Sequence, residues 1–174
     1  MLVGFPNGPG YPDRVRRVLT PLAGLLLCAC AATSALAGAR QATATPAPGG
    51  RSAACAGLVA QAPASLLGRP RDAPPRAGAV SWGSGRAELR CGVEELSPTA
   101  DPCIEVDGVD WVLDEHLLNT DSTARLTTYG RRPASEFTYH GPREEVAGYL
   151  VSLRDAVRAA PRTEHKCVSL SEVG

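Results

Sequence analysis

The sequence predicts an α+β domain: a small antiparallel β-meander of about five or six strands, with two helices packed on one face and disulfides as staples. Three observations predict this class. Apolar residues recur at helical spacing near both ends of residues 52–168, apolar and polar residues alternate between those ends, and four of the six cysteines fall in this stretch. A chain of 174 residues has room for one such domain.

Residues 1–38 are typical of a signal peptide or membrane leader. Three arginines between positions 14 and 17 precede an uncharged, mostly apolar run over 18–38. Three fates are open for this segment: cleavage after Ala37 at a small-x-small site, acylation of Cys30 in a lipoprotein-like sequence, or retention as a membrane anchor. Each fate predicts that the rest of the chain is extracytoplasmic, either secreted or associated with the cell membrane.

Three segments follow the leader. Residues 39–51 are predicted to form a flexible linker, because they are mostly small, include proline and glycine, and have little to bury. We expect a single α+β domain over residues 52–168 and a short tail over 169–174.

The predicted helices lie at the two ends of the domain. Ser52 is a favoured N-cap residue for the first helix, and Pro63 ends it. Pro142 suits the first turn of the last helix, which Pro161 ends. The predicted apolar faces are Cys55, Leu58, Val59 and Ala62 in the first helix, and Val146, Leu150, Leu153 and Val157 in the last.

The predicted strands fill the middle of the domain, after a loop over 68–76 whose three arginines we expect to be solvated. Asp107 and Gly108 form a favoured type I′ turn, which sets Ile104 opposite Trp111 in a hairpin. The predicted strands are 80–82, 87–93, the two arms of the hairpin within 103–113, 126–129 and 137–139.

Ser81 lies in a five-residue match to the nucleophile elbow of serine hydrolases. Asp155 and His165 follow in the order that a catalytic triad would need. However, a hydrolase requires a helix directly after the serine, and the glycines at 83 and 85 do not begin one. We therefore expect Ser81 to be a solvent-facing strand residue beside a buried Trp82, and we expect no catalytic residue.

No metal or cofactor site is expected. His116, His140 and His165 are not spaced from one another, or from a cysteine, as zinc ligands would be. No Gly-rich phosphate loop or dinucleotide fingerprint occurs. Basic and acidic residues number 18 each, which argues against binding nucleic acid through bulk charge.

Two charged clusters are candidate contact sites. Glu105 is predicted to face Asp110 across the hairpin, and like charges in that position are unfavourable. We expect a solvated acidic edge balanced by an arginine such as Arg125, with a divalent ion or a basic partner as the alternative. The turn that contains Arg131 and Arg132 is expected to be exposed, and the alternative is that it grips phosphate or a carboxylate-bearing envelope polymer.

Cysteine counting predicts two disulfides. Once the leader is removed or lipidated, Cys55, Cys91, Cys103 and Cys167 remain, and an even number in a small exported domain is typical of a disulfide framework. Three pairings can form. We expect Cys91–Cys103, because these residues flank one loop, and therefore Cys55–Cys167, which would join the first helix to the end of the domain.

Six short motifs carry a family resemblance. They are Cys55-Ala56-x-Leu58, Leu67-Gly68-Arg69, Ser81-Trp82-Gly83, Leu89-Arg90-Cys91-Gly92-Val93, Cys103-x-Glu105-Val106-x-Gly108-Val109-Asp110-Trp111 and Thr128-Tyr129-Gly130-Arg131-x-Pro133. Together they resemble an actinobacterial family of short exported or membrane-associated proteins known as a domain of unknown function, over residues 55–167. The resemblance implies an N-terminal leader or anchor and supplies no catalytic residues. Asp107 departs from the asparagine expected there, a change that a type I′ turn tolerates.

The sequence therefore predicts a non-catalytic cell-envelope domain, a binding or assembly accessory whose partner is an envelope protein or a glycan. An exposed aromatic patch that includes Trp82, Tyr129 or Tyr139 would favour this function. The alternative is an exported serine hydrolase, which would need Ser81 in a cleft beside a histidine.

Overall fold

Three helices and two antiparallel sheets form the α+β fold of residues 44–168, the residues that this computed structural model describes. In chain order the elements are α1 (Ala53–Gln61), β1 (Ser65–Leu66), β2 (Arg69–Pro70), β3 (Ala79–Trp82), β4 (Ala87–Val93), β5 (Cys103–Val106), β6 (Val109–Leu113), α2 (Glu115–Asp121), β7 (Thr123–Tyr129), β8 (Ala134–His140) and α3 (Val146–Arg158). The predicted fold class is confirmed. The leader 1–38, including Cys30, and the tail 169–174 lie outside the described residues.

The large sheet has the strand order β3-β4-β8-β7-β6-β5. Strands β5 to β8 run as the predicted meander, and the β3–β4 hairpin joins it because β4 pairs with β8. Strands β4 and β5 follow each other in the chain, but β4 lies beside β8 at one end of the meander and β5 is the strand at its other end. Four strand spacings of about 4.8 Å place them roughly 19 Å apart. The connection 94–102 spans this distance, since an extended chain covers about 3.3 Å per residue.

Helices α1 and α3 cover one face of the sheet, as predicted. The largest side chains of the core are Trp82, Trp111, Phe137, Tyr139 and, on α3, Tyr149, all fully buried. Helix α1 contacts α3 and β4, and α3 also contacts β5 and β6. Trp82 is buried, as predicted, and so is Tyr139, because strand alternation places both on the face that the helices cover. Neither residue therefore belongs to an exposed aromatic patch.

Side-chain hydrogen bonds cap both ends of α1. The Ser52 Oγ accepts a hydrogen bond from the Cys55 N–H at 3.3 Å, which confirms the predicted N-cap. At the other end, Arg71 donates to the carbonyl oxygens of Ala62 and Val59 at 3.2 and 2.6 Å. The last carbonyls of a helix lack partners within the helix, so the guanidinium satisfies them. The loop arginines are thus not all solvated, and burial lowers the pKa of Arg71.

Helix α2 is missing from the sequence-based prediction. Asp114 caps it by accepting a hydrogen bond from the Leu117 N–H at 2.8 Å, and Ser122, in the left-handed conformation, ends it. Leu118 is its buried residue, so this short helix has almost no apolar periodicity to detect. Among the helices that the structure describes, none is long and apolar enough to cross a membrane.

Residues 44–51 pack against the domain, which corrects this part of the predicted flexible linker 39–51. Ala44 and Ala47 are buried, and the Gly49 N–H donates to the Gly92 carbonyl at 2.9 Å. A Cβ at Gly92 would clash with the backbone of Gly49, so the approach of these two chain segments requires glycine. Small residues here permit close backbone packing, although they bury little side-chain area.

Two disulfides join Cys55 to Cys91 and Cys103 to Cys167, with Cα–Cα distances of 5.4 and 5.6 Å. The four predicted cysteines are bonded, but the predicted pairing is wrong. Cys91 lies on β4 and faces α1, whereas Cys103 lies on β5 in a row of residues that faces the other side of the sheet. A disulfide spans at most about 6.8 Å between Cα atoms, so closeness in sequence could not bring these two together.

Residues 161–168 run across the face of the sheet opposite to α1 and α3. The Thr163 N–H donates to the Gly130 carbonyl at 2.9 Å, and the His165 ring stacks on Tyr129 at 5.4 Å between centroids. The Cys103–Cys167 disulfide then fastens the segment to the edge strand β5. This face is therefore partly covered at its β5 side.

Candidate functional site

The face of the sheet opposite to α1 and α3, called the outer face below, carries mostly polar side chains. Residues that pair across antiparallel strands point to the same face, so the register gives its composition. Its central rows are Arg90, Glu136, Thr127 and Val112, then Glu88, Thr138 and Arg125, then His140 and Thr123. Neither α1 nor α3 covers these rows.

A groove crosses the outer face and has α2 as one wall. It consists of two adjoining cavities of about 260 and 450 Å³, which share Arg125 and Glu136. Thr45 and His140 line the first cavity, and Asp101 lines the second. Its rim therefore comes from three separate segments of the chain, which are residues 44–51 before α1, the connection 94–102 and helix α2.

Ion pairs fix the floor of the groove. Arg90 donates two hydrogen bonds to Glu136, at 3.1 and 2.6 Å. Arg125 lies 3.9 Å from the second oxygen of Glu136 and 3.7 Å from Asp114. Glu136 is the least exposed of the four side chains, at 13%. Glu136 therefore holds Arg90 by hydrogen bonds, whereas Arg125 lies within ion-pair distance of two carboxylates without a hydrogen bond to either.

Thr123 organises the end of the groove beside α2. Its Oγ1 lies 3.1 Å from His140 Nδ1 and donates to a carboxylate oxygen of Asp121 at 3.3 Å. Thr123 is buried, while His140 and Asp121 are exposed. The buried hydroxyl therefore holds two exposed polar groups in fixed positions at the rim.

The groove is acidic. Its two guanidinium groups face six carboxylates, which are Glu88, Asp101, Asp114, Glu115, Asp121 and Glu136. Apolar carbons from Leu96, Val112, Leu113 and Leu117 lie between them. The lining therefore attracts cationic groups and offers some apolar contact area for an alkyl chain.

Ser81 is not solvent-facing, which corrects the expectation from sequence. It is fully buried, and its Oγ donates to the Asp72 carboxylate at 2.9 Å. Asp72 also accepts hydrogen bonds from the backbone N–H groups of Ser84 and Gly85 at 2.9 and 3.0 Å. The carboxylate thus organises the turn after β3, and the loop before β3 covers Ser81.

The other residues of the proposed triad lie elsewhere. His165 stacks on Tyr129 of β7, and two strands separate β7 from β3, where Ser81 is found. Asp155 is exposed on α3, where it lies 3.5 Å from Arg154. The structure therefore does not bring Ser81, His165 and Asp155 together.

The predicted basic turn is not a free anion site. Arg131 is buried and donates to the carbonyl oxygens of Arg158, Ala160 and Gly108 at 3.2, 2.9 and 2.9 Å. Burial, together with nearby arginines, lowers its pKa. Arg132 is exposed, but it forms a two-pronged ion pair with a carboxylate of the connection 94–102. The expectation of an exposed turn is therefore wrong for Arg131, which ties α3 to the hairpin.

Glu105 and Asp110 face each other across the β5–β6 hairpin, as predicted. Arg125, the arginine expected to balance them, lies in the groove instead. Arg162 and Arg131 are the basic residues whose positive charge favours the ionised form of Asp110. Burial, reinforced by Glu105, nevertheless raises the pKa of Asp110. A separate cavity of about 470 Å³ lies beside this pair and the Cys103–Cys167 disulfide.

The three histidines occupy two surroundings. His116 and His140 line opposite parts of the groove, and His165 stacks on Tyr129. Within residues 44–168, no three histidine, cysteine or carboxylate side chains are grouped closely enough to hold a metal ion.

A family model described as Protein of unknown function (DUF3515) matches residues 18–165. The chain belongs to this family. The predicted resemblance to a domain of unknown function is thus confirmed, and its actinobacterial origin stays a prediction. The DUF3515 match includes all the helices and strands described above and every residue that lines the groove. No curated protein and no solved structure matches the chain.

The groove of this DUF3515 chain was not predicted from its sequence. The signal that could have found it is the alternation in β4, β7 and β8, which puts a charged residue at the centre of each strand on one face: Arg90, Arg125 and Glu136. The order β4-β8-β7 is needed to see that these three meet, and it does not follow from the order of the strands in the chain.

Proposed function

We propose that this protein is a non-catalytic domain of the cell envelope, exported in a secreted, lipid-anchored or membrane-anchored form, which acts as a binding or assembly accessory. Its partner is an envelope protein or a glycan. The groove on the outer face carries the proposal, because concave surfaces with a few polar side chains held in fixed positions are typical of binding sites.

Two observations support a location outside the cytoplasm. The domain has two disulfides, and disulfides persist in oxidising compartments but are rare in the cytosol. The basic and apolar pattern of residues 1–38 is typical of export. Attachment to the membrane, through lipid on Cys30 or through an uncleaved leader, is part of the proposal.

The placement of Ser81 supports a non-catalytic role over the hydrolase alternative. Its hydroxyl is buried and already donates to Asp72. A hydrolase would need this hydroxyl open to substrate and within hydrogen-bond reach of a base. Among the described histidines, His165 stacks on Tyr129 of β7, two strands away from the strand that carries Ser81, and His116 and His140 line the groove.

Cell fractionation combined with mass spectrometry tests the location. The full-length chain, tagged at its C-terminus and expressed in its source organism, should appear in the envelope or the medium with four oxidised cysteines. Its N-terminus should begin after Ala37, begin at an acylated Cys30, or remain intact in the membrane. Cys30→Ser should release a lipid-anchored form, and Cys28→Ser is the matched control. Full-length protein in the cytoplasm with free thiols would overturn the proposal.

Site-specific photo-crosslinking tests the binding role. A photoreactive residue at Thr138, on the groove floor, should give a reproducible product with one envelope component in intact cells. The same residue at Ser152, exposed on α3, is the matched control and should not give that product. Equal products from both positions, or none from Thr138, would count against a binding surface on the outer face.

A further inference from the structure

We infer that the groove docks an extended basic segment of a partner protein, with lysine or arginine side chains laid across the outer face. This inference rests on the proposed binding function and narrows it to one class of partner. It stands on three features of the groove: the sign of its charge, the distribution of that charge, and its mixed lining.

The negative charge of the groove favours a partner with positive charge. Six carboxylates and two guanidinium groups line it, and Arg90 and Arg125 already lie against Glu136. The exposed carboxylates stand at the rim, on Asp101, Glu115 and Asp121. A polyanion would meet net repulsion here, whereas a cationic segment would meet complementary charge.

The distribution of the charge selects an extended partner over a single ion. The rim carboxylates come from the connection 94–102 and from both ends of α2, so they do not converge on one point. Consistent with this, no metal-binding cluster occurs in residues 44–168. An extended segment places alternate side chains on one face about 6.6–7 Å apart, so several of its cations can meet separate carboxylates.

The mixed lining suits long basic side chains. Leu96 and Leu113 line the cavity that carries Asp101 and Glu115, and Leu117 lies in the cavity that carries Asp121. Lysine and arginine bury their methylene stems against apolar surface and keep the charged head beside polar groups. Of the two partner classes proposed above, these features favour a protein over a neutral glycan.

The test is an NMR titration of the ¹⁵N-labelled, oxidised protein. The probe is the peptide acetyl-KAKAK-amide, and the comparison ligands are acetyl-EAEAE-amide and chitotetraose. The basic peptide should give saturable shifts confined to residues of the groove, which weaken as salt is raised because exposed charges are screened beyond about 10 Å at 0.1 M. The acidic peptide and the sugar should leave the groove unchanged.

Two variants of equal charge provide the control. Glu115→Gln with Asp121→Asn removes two rim carboxylates, while Glu144→Gln with Asp155→Asn removes two exposed carboxylates from the α3 side. The first should bind the basic peptide at least about threefold more weakly, since each exposed pair contributes modestly. The second should bind it as the unmodified protein does.

The outcomes separate this inference from the proposed function. Shifts scattered over the surface, or equal weakening in both variants, would overturn a basic segment as the occupant of the groove. So would groove shifts with chitotetraose alone, although these would leave a binding function in place. Absence of both peptide shifts and crosslinks from Thr138 would remove the inference and the binding function together.

Discussion

Replacing Cys103 and Cys167 together with alanine should destabilise the domain mainly by freeing its denatured chain. The disulfide closes a loop with a sequence separation of 64, and both cysteines are half-buried, so alanine leaves little cavity behind. In the chain-entropy model such a loop contributes about 4.3 kcal/mol at 25 °C, and the Cys55–Cys91 loop, with a separation of 36, contributes about 3.8 kcal/mol.

The two loops do not overlap in sequence, so their contributions should add to about 8 kcal/mol. This total is comparable with the whole unfolding free energy of a typical domain, about 5–15 kcal/mol. We therefore expect reduction of both disulfides to leave the protein largely unfolded. The pairing expected from sequence, Cys91–Cys103 with Cys55–Cys167, would place one loop inside the other, and the two contributions to the unfolding free energy would then not simply add.

Urea unfolding at pH 7 measures the effect. The oxidised double variant should lose about 4 kcal/mol and show a steeper denaturant dependence, because its denatured state exposes more surface. The Cys55→Ala and Cys91→Ala pair should lose at least as much as its loop predicts, since both side chains are fully buried. A loss below about 1 kcal/mol for the Cys103 and Cys167 pair would contradict the chain-entropy argument. A Cys91–Cys103 peptide in a non-reducing digest would contradict the structure.

Three further changes test other parts of the fold by urea unfolding. Arg131→Gln should cost about 3 kcal/mol, because it leaves backbone carbonyls without donors, whereas Arg132→Gln should barely matter, and similar losses would count against the buried role of Arg131. Ser81→Ala should cost about 1–2 kcal/mol and Trp82→Ala about 3–5 kcal/mol; a neutral Ser81→Ala would mean that its buried hydrogen bond adds nothing. Asp110 has a folded pKa above its unfolded value near 3.9, so Asp110→Asn should stabilise at pH 7, and this gain should be lost as pH falls through the folded pKa towards the unfolded value; destabilisation at pH 7 would refute this.

Local features of the chain could be predicted because they depend on neighbouring residues. The hairpin forms where predicted, since Asp107 and Gly108 tolerate the positive φ angles of 49° and 76° that its turn adopts. Helix α3 follows from its apolar spacing, and α1 from the cap at Ser52. Helix α2 left a weaker signal, the N-cap residue Asp114, without a supporting apolar face.

The sequence by itself determined the α+β class, the disulfide-bonded cysteines and most element positions, because strand alternation, helical spacing and turn chemistry act over a few residues. Only the tertiary structure decided the cysteine pairing, the burial of Ser81 and Arg131, and the groove. Each depends on contacts between residues that are not neighbours in the chain. The loop before β3 covers Ser81, carbonyls at the end of α3 surround Arg131, and strand β4 pairs with β8 instead of β5. That single long-range pairing separates Cys91 from Cys103 and brings Arg90 beside Glu136.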